Sequence, residues 1–191
     1  MKARCLAFSI GLTLAALPLR HVRASDFLAD MWLTENGLPQ NTVTCITQTR
    51  DGYLWLGTLN GLARFDGMRF VVFGAHNTPE IKSNRILCLL EDSHGGLWIG
   101  TEGGGAARLH RGAFATYTTW EGLPNNIVRA LREDAAGGVW LITQAGACAW
   151  QDGRLMPGTA APPPSEPPAR ALEYPATPIE CVLERPNNEV W

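Results

Sequence analysis

The chain has 191 residues, of which 46% are hydrophobic and 18% are charged, so it can form a sizeable core and does not have a disordered composition. The net charge of −2 gives no reason to expect nucleic-acid binding. Seven Trp, 20 Gly and 13 Pro favour turns and short strands over helices.

The first 24 residues are typical of a secretory signal peptide. Lys2 and Arg4 form a basic start, residues 6–19 form an uncharged apolar run, and small residues precede Ser25. The run is too short for an ordinary transmembrane helix, but basic residues after it leave an uncleaved anchor as an alternative. Cleavage would remove four of the 16 basic residues and none of the 18 acidic ones, leaving a net charge of −6. We predict export to the periplasm.

The next segment predicts four short antiparallel strands over residues 43–48, 53–58, 62–65 and 68–73. Turns separate them at Asp51-Gly52, Asn60-Gly61 and Asp66-Gly67, which are strong hairpin signals. A four-stranded meander of about 40 residues is the size of one β-propeller blade.

The same unit recurs along the chain. The second unit predicts strands over 85–90, 97–101, 106–109 and 113–117, and the third over 127–132, 139–143, 147–150 and 154–156. One Trp marks the second strand or its counterpart in each unit, with spacings of 43, 42 and 51 residues: Trp55, Trp98, Trp140 and Trp191. Gly57 and Gly100 follow this Trp by two residues and leave room for a close approach or a bulge. Ile142 stands at that place in the third unit.

A proline tract interrupts the rhythm after the third unit. Residues 157–178 contain eight of the 13 prolines, which favours an extended surface loop, with a recognition segment as the alternative. Residues 179–191 begin a fourth unit that stops on Trp191. The predicted organisation is therefore a signal at 1–24, propeller repeats over 25–156, the loop, and the start of a fourth blade. The fold class is all-β, with about three and a half blades of an incomplete propeller.

The cysteines follow the repeat. Cys45, Cys88 and Cys181 each lie ten residues before a Trp, and Cys148 lies eight residues after one. We interpret them as small apolar residues on strand faces. Disulfide formation is open in an exported protein, because connectivity cannot be read from sequence.

At this point the motifs resemble the two-component regulator propeller repeat. The resemblance rests on Gly-Leu-Pro at residues 37–39 and 122–124, on Gly-x-Leu-Trp-x-Gly-Thr ending at Thr58 and Thr101, and on Gly-Leu-Ala-Arg-Phe-Asp-Gly at 61–67. It covers about residues 26–156, with a fragment after Ile179.

This resemblance implies the sensor end of a bacterial signalling protein. In that family tandem seven-bladed propellers lie in the periplasm, before a β-sandwich, a membrane span and a histidine kinase, hybrid kinase or diguanylate cyclase. The sequence contains no kinase, cyclase or hydrolase motif, so it predicts a non-enzymatic sensor fragment whose output module lies elsewhere. The partners would be further blades and output domains of a parent protein. Membrane attachment would come through a C-terminal span outside this chain or the uncleaved signal.

We predict no catalytic residue, no metal site and no cofactor. The paired carboxylates Glu91-Asp92 and Glu133-Asp134 recur with the period, which favours a structural turn role over acid–base work. The same argument applies to the turn residues Asp51, Asp66 and Asp152. Three His residues lie at different repeat positions, and the triple glycine after Glu102 lies between strands rather than before a helix. These three are His76, His94 and His110, and the fourth histidine of the chain, His21, lies in the predicted signal segment.

The ligand-binding residues are unknown, although fold-level analogy points to the loops at one end of the propeller. These loops are residues 36–41, 58–60, 83–85, 102–104, 125–126 and 144–145. Their Asn, Gln, Thr, Arg and Glu side chains suit carbohydrate or another polar extracytoplasmic ligand. The alternative function is a stand-alone exported propeller that binds or cleaves a polysaccharide or another polymer.

Overall fold

The computed structural model describes residues 31–157, and these residues form an all-β structure of three four-stranded antiparallel sheets. The signal segment, most of the proline tract and the start of the fourth unit lie outside the described residues. Between residues 31 and 157 the helical structure is limited to one 3₁₀ turn, Thr34–Asn36. That range holds no helix of the length and apolarity needed to cross a bilayer.

Each sheet is one blade, with its strands hydrogen-bonded in chain order. Blade 1 consists of β1 (Val43–Gln48), β2 (Leu54–Thr58), β3 (Gly61–Phe65) and β4 (Phe70–Phe73). Blade 2 consists of β5 (Ile86–Glu91), β6 (Leu97–Thr101), β7 (Ala106–His110) and β8 (Ala113–Tyr117). Blade 3 consists of β9 (Val128–Glu133), β10 (Val139–Thr143), β11 (Gly146–Gln151) and β12 (Arg154–Pro157). The predicted all-β propeller class is confirmed.

The first strands of successive blades are neighbours. Strand β1 packs against β5, and β5 packs against β9, with smaller contacts from β2 to β5 and from β6 to β9. This arrangement places the first strand of each blade on the inside of an arc and the fourth strand on the outside, as in a propeller.

Two apolar layers hold the blades together. The layer between blades 1 and 2 is built on Trp55, Leu62 and Ile86, all almost fully buried. The layer between blades 2 and 3 is built on Trp98 and Leu141 in the same way. Burying one such aliphatic side chain contributes about 1.5–3 kcal/mol, so the interfaces between sheets, rather than the sheets themselves, supply most of the apolar stabilisation.

Glycine after the repeated Trp makes room for side chains rather than for backbone. A Cβ atom on Gly57 would lie 2.4 Å from the Sγ atom of Cys45 and 2.8 Å from the Cγ2 atom of Ile86 in the next blade. A Cβ atom on Gly100 would meet Cys88 and Val128 in the same way. The bulge expected from the sequence lies opposite the glycine, on the first strand of the blade.

Blade 3 replaces both members of this pair. Ala130 stands opposite Ile142, where Cys45 stands opposite Gly57 and where the second blade repeats the same pairing. The smaller residue on the first strand compensates for the larger residue on the second. The irregularity at Ile142 is therefore one half of a size exchange between paired positions.

The described cysteines Cys45, Cys88 and Cys148 form no disulfide with one another, and Cys181 lies outside the described residues. Burial raises the pKa of the Cys88 thiol to about 12 and that of the Cys148 thiol to about 11. Both thiols remain protonated at neutral pH, and the Cys88 Sγ atom lies 3.6 Å from the carbonyl oxygen of Val128.

We therefore expect Cys88 and Cys148 to react with iodoacetamide at pH 8 at least ~100-fold more slowly in the folded chain than in 6 M guanidinium chloride, because the thiolate is the nucleophile. Site-resolved mass spectrometry of the alkylated peptides measures both rates. Equal rates in the folded and unfolded chain would contradict the raised pKa values of the two thiols.

Candidate functional site

The two ends of the blades have different composition and different connections. The β2–β3, β6–β7 and β10–β11 turns lie at one end, together with the connections between blades; we call this the loop end. The opposite end carries the other hairpin turns of each blade, and we call it the turn end. The loops that the sequence singled out as candidate ligand-binding segments lie at the loop end.

The structure brings the predicted loops together at the loop end. The Asn60 side chain donates to the carbonyl oxygen of Pro39 at 3.3 Å, and Glu102 N–H donates to the carbonyl oxygen of Arg85 at 2.8 Å. In blade 3, Gln144 N–H donates to the carbonyl oxygen of Ile127 at 3.0 Å. Each β2–β3-type turn is thus tied to the connection that precedes a blade.

A groove of about 500 Å³ opens at the loop end between the connections into blades 2 and 3. This volume lies within the range of small-molecule sites. Its lining combines a cation, a carboxylate, an indole and small polar groups: Lys82, Gly103, Thr116, Trp120, Glu121 and Asn126. Trp120 is 94% exposed, which is unusual for an indole and leaves most of its surface available for contact.

The loop that carries Trp120 is held by a repeated hydrogen-bond frame. Thr119 N–H donates to the Oδ1 atom of Asn126 at 2.9 Å. In the segment before β1, Thr34 N–H donates to the Oδ1 atom of Asn41 at 2.8 Å. The frame fixes the backbone on both sides of the exposed tip. Trp120 is therefore presented on an ordered loop, although its own side chain is solvent-exposed.

Glu121 is fixed at the edge of the groove. Its carboxylate accepts hydrogen bonds at 2.7 Å from both the hydroxyl and the N–H of Thr118. These bonds, with a smaller contribution from the positive charge of Lys82, lower the pKa of Glu121 below its ordinary value. The groove therefore presents one fixed negative charge and one nearby positive charge at neutral pH.

The triple glycine forms part of the groove wall through close packing. A Cβ atom on Gly104 would lie 2.6 Å from the backbone nitrogen of Ser83, and one on Gly105 would lie 2.1 Å from the carbonyl oxygen of Tyr117. The N–H groups of Gly103 and Gly105 both donate to the carbonyl oxygen of Asn126. Gly104 N–H donates to the hydroxyl oxygen of Thr101 at 3.1 Å, so all three glycine N–H groups are already bonded within the protein, which does not suit a phosphate cradle.

At the turn end each of the three repeated Trp residues within residues 31–157 is held by a side-chain oxygen six residues earlier, an arrangement that we call the Trp clasp. The indole N–H groups and their acceptors are Trp55 with Thr49 at 3.1 Å, Trp98 with Asp92 at 2.9 Å, and Trp140 with Asp134 at 3.0 Å. The clasp closes the first hairpin of each blade and satisfies the one polar atom of a buried ring.

The clasp of blade 2 contains a buried ion pair. Asp92 is fully buried and accepts hydrogen bonds from the Nε and Nη2 atoms of Arg108 at 2.9 and 2.7 Å. It also accepts the N–H groups of His94 at 3.0 Å and Gly96 at 2.7 Å, besides the indole of Trp98. Burial is the largest single influence on the pKa of Asp92 and raises it, but these donors together lower the pKa below its ordinary value of 3.8.

Blade 1 has different residues around the repeated Trp and the arginine opposite it. Thr49 replaces the Asp, and Arg64 occupies the place of Arg108 opposite the repeated Trp. The guanidinium of Arg64 lies over the ring of Tyr53, 4.4 Å from its centroid, and its buried Nε atom has no hydrogen-bond partner. Tyr53 stands where blade 2 has Gly96, at which a Cβ atom would clash with the arginine. Blades 1 and 2 therefore differ together at the residue that accepts the indole N–H and at the residue that packs against the arginine.

A second recurrent contact links adjacent blades at the turn end, and we call it the Glu clip. The carboxylate of Glu91 accepts the N–H of Arg50 in the preceding blade, with both oxygens at 3.1 Å. The carboxylate of Glu133 accepts the N–H of Ser93, at 2.8 and 2.9 Å. The paired carboxylates therefore have structural partners, one in the clasp and one in the clip.

Two of the three histidines within residues 31–157 line a cavity of about 280 Å³ at the turn end, between blades 2 and 3. His94 and His110 share this cavity with Arg108 and Trp150. The buried Nδ1 atom of His110 has no hydrogen-bond partner. His76 lies elsewhere, in the connection between β4 and β5. Sequence spacing did not indicate that His94 and His110 would line one cavity, because His94 lies in the β5–β6 turn and His110 lies at the end of β7. Across residues 31–157 no group of three metal-ligating side chains occurs.

Comparison with known proteins identifies the repeat. Three stretches match the profile described as the two component regulator propeller, at residues 37–60, 80–103 and 122–145. Each stretch runs from the connection before a blade through its first hairpin, so it includes the Trp clasp.

Related proteins are much longer than this chain. Histidine kinase P4 of Formosa agariphila is 39% identical over 56 residues, which are 29% of this chain and 4% of that protein. The extracellular domain of BT3049 of B. thetaiotaomicron, described as a hybrid two component system, superposes with a TM-score of 0.57 at 23% identity. It covers 87% of this chain and 22% of that one. The extracellular domain of BT4673, from the same organism and also described as a hybrid two component system, gives a TM-score of 0.54 at 24% identity. It covers 84% of this chain and 21% of that one.

Proposed function

We propose, on the premise that this chain carries three two-component regulator propeller repeats, that it is the extracytoplasmic sensing part of a signalling protein. It binds a polar ligand at the groove of the loop end and performs no catalysis. The output, a histidine kinase or a diguanylate cyclase, belongs to a parent protein. Support for this assignment comes from the repeats and from the likeness of the fold to two extracellular domains.

The observation that carries the ligand-binding part is the exposed Trp120 beside a groove with fixed polar groups. An indole that is 94% exposed on an ordered loop contributes nothing to the core, so its apolar surface is available to a ligand. Carbohydrate suits this surface, because a sugar presents apolar C–H faces to a ring and hydroxyls to groups such as Glu121, Lys82 and Asn126. The periplasm is the compartment in which such a sensor would meet its ligand.

Trp120→Ala should weaken binding of a neutral oligosaccharide by about 10-fold or more, because stacking and apolar contact at one aromatic anchor are worth about 1–3 kcal/mol. Isothermal titration of the full chain with penta-saccharides of glucose, mannose, galactose and xylose measures the affinity. Trp120→Glu is an informative second variant, because the first repeat carries Glu35 at the same loop position.

The matched control is Met68→Ala, which truncates a side chain that is 81% exposed at the turn end. It should leave binding unchanged. The proposal fails if no oligosaccharide of the set binds the wild-type chain. It also fails if Trp120→Ala and Trp120→Glu both bind as tightly as the wild type.

A further inference from the structure

We propose that the turn-end cavity between blades 2 and 3 binds a small carboxylate with a flat apolar body. A guanidinium, two imidazoles and an indole would hold it, and these belong to Arg108, His94, His110 and Trp150. The cavity lies at the opposite end of the blades from the groove, so this inference is independent of the proposed sensing function. Its volume of about 280 Å³ lies just below the range of drug-sized sites and suits a smaller molecule.

Two polar groups in the lining of the cavity have bonding capacity that residues 31–157 do not use. The Nδ1 atom of His110 is buried and has no hydrogen-bond partner there. Arg108 bonds to Asp92 through its Nε and Nη2 atoms, and within the same range its Nη1 atom donates no hydrogen bond. A buried polar group without a partner destabilises a fold, and a bound ligand supplies such a partner. Imidazole and guanidinium N–H groups both donate to a carboxylate.

The two histidines stand where blade 1 has carboxylates. His94 lies four residues before its Trp, as Asp51 does in blade 1. His110 follows the third-strand residue that pairs with the residue before the Trp, and Asp66 has that place in blade 1. The exchange removes two negative charges and puts N–H donors in their place. It therefore favours an anion at this cavity.

The indole of Trp150 supplies a fixed apolar surface. Its Nε1 atom donates to the hydroxyl of Tyr117 at 3.1 Å, so the polar atom of the ring is already bonded. The ring makes an edge contact with Trp98 at 5.3 Å, and the Arg108 guanidinium lies 4.5 Å from its centroid. Blade 2 has Leu109 at the position of Trp150, so this flat surface is absent from the corresponding place between blades 1 and 2. An aryl ring on the ligand matches such a surface.

Two carboxylates near the cavity sharpen the role of the histidines. Asp92 already balances the charge of Arg108, so preference for an anion over a neutral ligand must come from His94 and His110. Asp152 lines the cavity, but it is exposed in the β11–β12 turn, where water screens its charge. The two imidazoles are therefore the groups to change.

Titration of the full chain with 4-fluorobenzoate, followed by fluorine NMR, tests the site. We expect saturable binding, and binding about 10-fold weaker or more for 4-fluorobenzamide, which has the same shape and no charge. His94→Asp and His110→Asp introduce the residues of blade 1 and should each weaken binding of 4-fluorobenzoate by about 10-fold or more. The matched control is His76→Asp, which makes the same change in the exposed β4–β5 connection and should leave binding unchanged.

Circular dichroism checks that each variant is folded. If His110→Asp does not fold, His94→Asp carries the test, because His94 is exposed in its turn. The proposal is wrong if the wild-type chain does not bind 4-fluorobenzoate, or if it binds 4-fluorobenzamide equally well. It is also wrong if the folded variants at these two histidines bind as tightly as the wild type. Displacement of 4-fluorobenzoate by an equal concentration of inorganic phosphate would overturn it too, since the cavity would then accept any small anion.

Discussion

Asp92→Ala should lower the free energy of unfolding by about 3–5 kcal/mol, because it leaves the buried Arg108 guanidinium without its counter-ion. The indole N–H of Trp98 and the N–H of Gly96 lose their acceptor in the same substitution. Urea unfolding followed by tryptophan fluorescence measures the loss. The expected loss of stability is large because removing one partner leaves the other charge buried and unpaired. The intact pair contributes much less to stability when it is compared with well-packed apolar residues.

The matched control is Asp134→Ala, which removes the corresponding carboxylate from blade 3. Ala149 replaces the arginine there, so no charge is left without a partner, and the expected loss is about 1–2 kcal/mol. Equal losses for the two variants would show that the ion pair with Arg108 does not distinguish the blades.

The difference in unfolding free energy between the wild type and Asp92→Ala should change with pH in a definite direction. The pKa of Asp92 is lowered in the fold from its ordinary 3.8, so the carboxylate contributes its full stabilisation above that value. The contribution is lost as the pH falls through the lower, folded pKa. The gap between wild type and Asp92→Ala should therefore be constant near neutral pH and become smaller below about pH 4, the ordinary range of an Asp carboxyl.

Gly100→Ile should destabilise the chain by about 3 kcal/mol, and Cys88→Ala in the same chain should restore part of that loss. A Cβ atom at Gly100 would lie 2.4 Å from the Sγ atom of Cys88, so the single change overpacks the blade. The double variant reproduces the pair that blade 3 already has, Ala130 with Ile142. Recovery should be incomplete, because Val128 of the next blade lies 3.0 Å from the same Cβ position.

A double-mutant cycle measures the exchange. The coupling between the two changes should be favourable and about 1–3 kcal/mol, which is the range for residues in contact. Cys88→Ala without the isoleucine serves as the control and should be mildly destabilising, because it opens a small cavity. Losses that add without coupling would show that Ile142 is accommodated by something other than its smaller partner.

The strands were largely predictable because the repeat places hairpin turns at regular intervals. Four of the predicted strands, including 43–48 and 113–117, have the observed bounds. The largest difference is at β4, which begins at Phe70 rather than at Met68. The Asp66 carboxylate accepts the N–H groups of Met68 and Arg69, which keeps both residues in the turn. The side chain of Asp66 therefore extends this turn beyond the Asp-Gly pair.

The clasp and the clip were not predictable in the same way. The sequence showed that Glu91 and Asp92 recur together, but not that one faces its own blade and the other the blade before it. Which blade each residue contacts depends on the side of the strand end on which that residue lies. Secondary-structure propensity carries no information about that side. The Cys and Gly replacements in blade 3 were visible separately, at Ala130 and Ile142, but only the strand register shows that they face each other.

The groove lies among the loops that analogy singled out, yet the exposed Trp120 in its lining was missed. Trp120 lies just outside the predicted loop segments and was not distinguished from the Trp residues of the core. Its exposure follows from the hydrogen-bond frame around Thr119 and Asn126, which turns the tip outward. A comparison of loop positions between repeats would have found it, since the first repeat has Glu35 there.

The Glu clip has a direction, and this matters for how the protein comes to be assembled. In both observed clips the Glu lies later in the chain than the turn whose N–H it accepts. A nascent polypeptide emerges with its N-terminus first, so each receiving turn is synthesised before the residue that will bind it. Each blade can then fold against the blade before it while the chain is being synthesised. The blades that have already folded need no rearrangement.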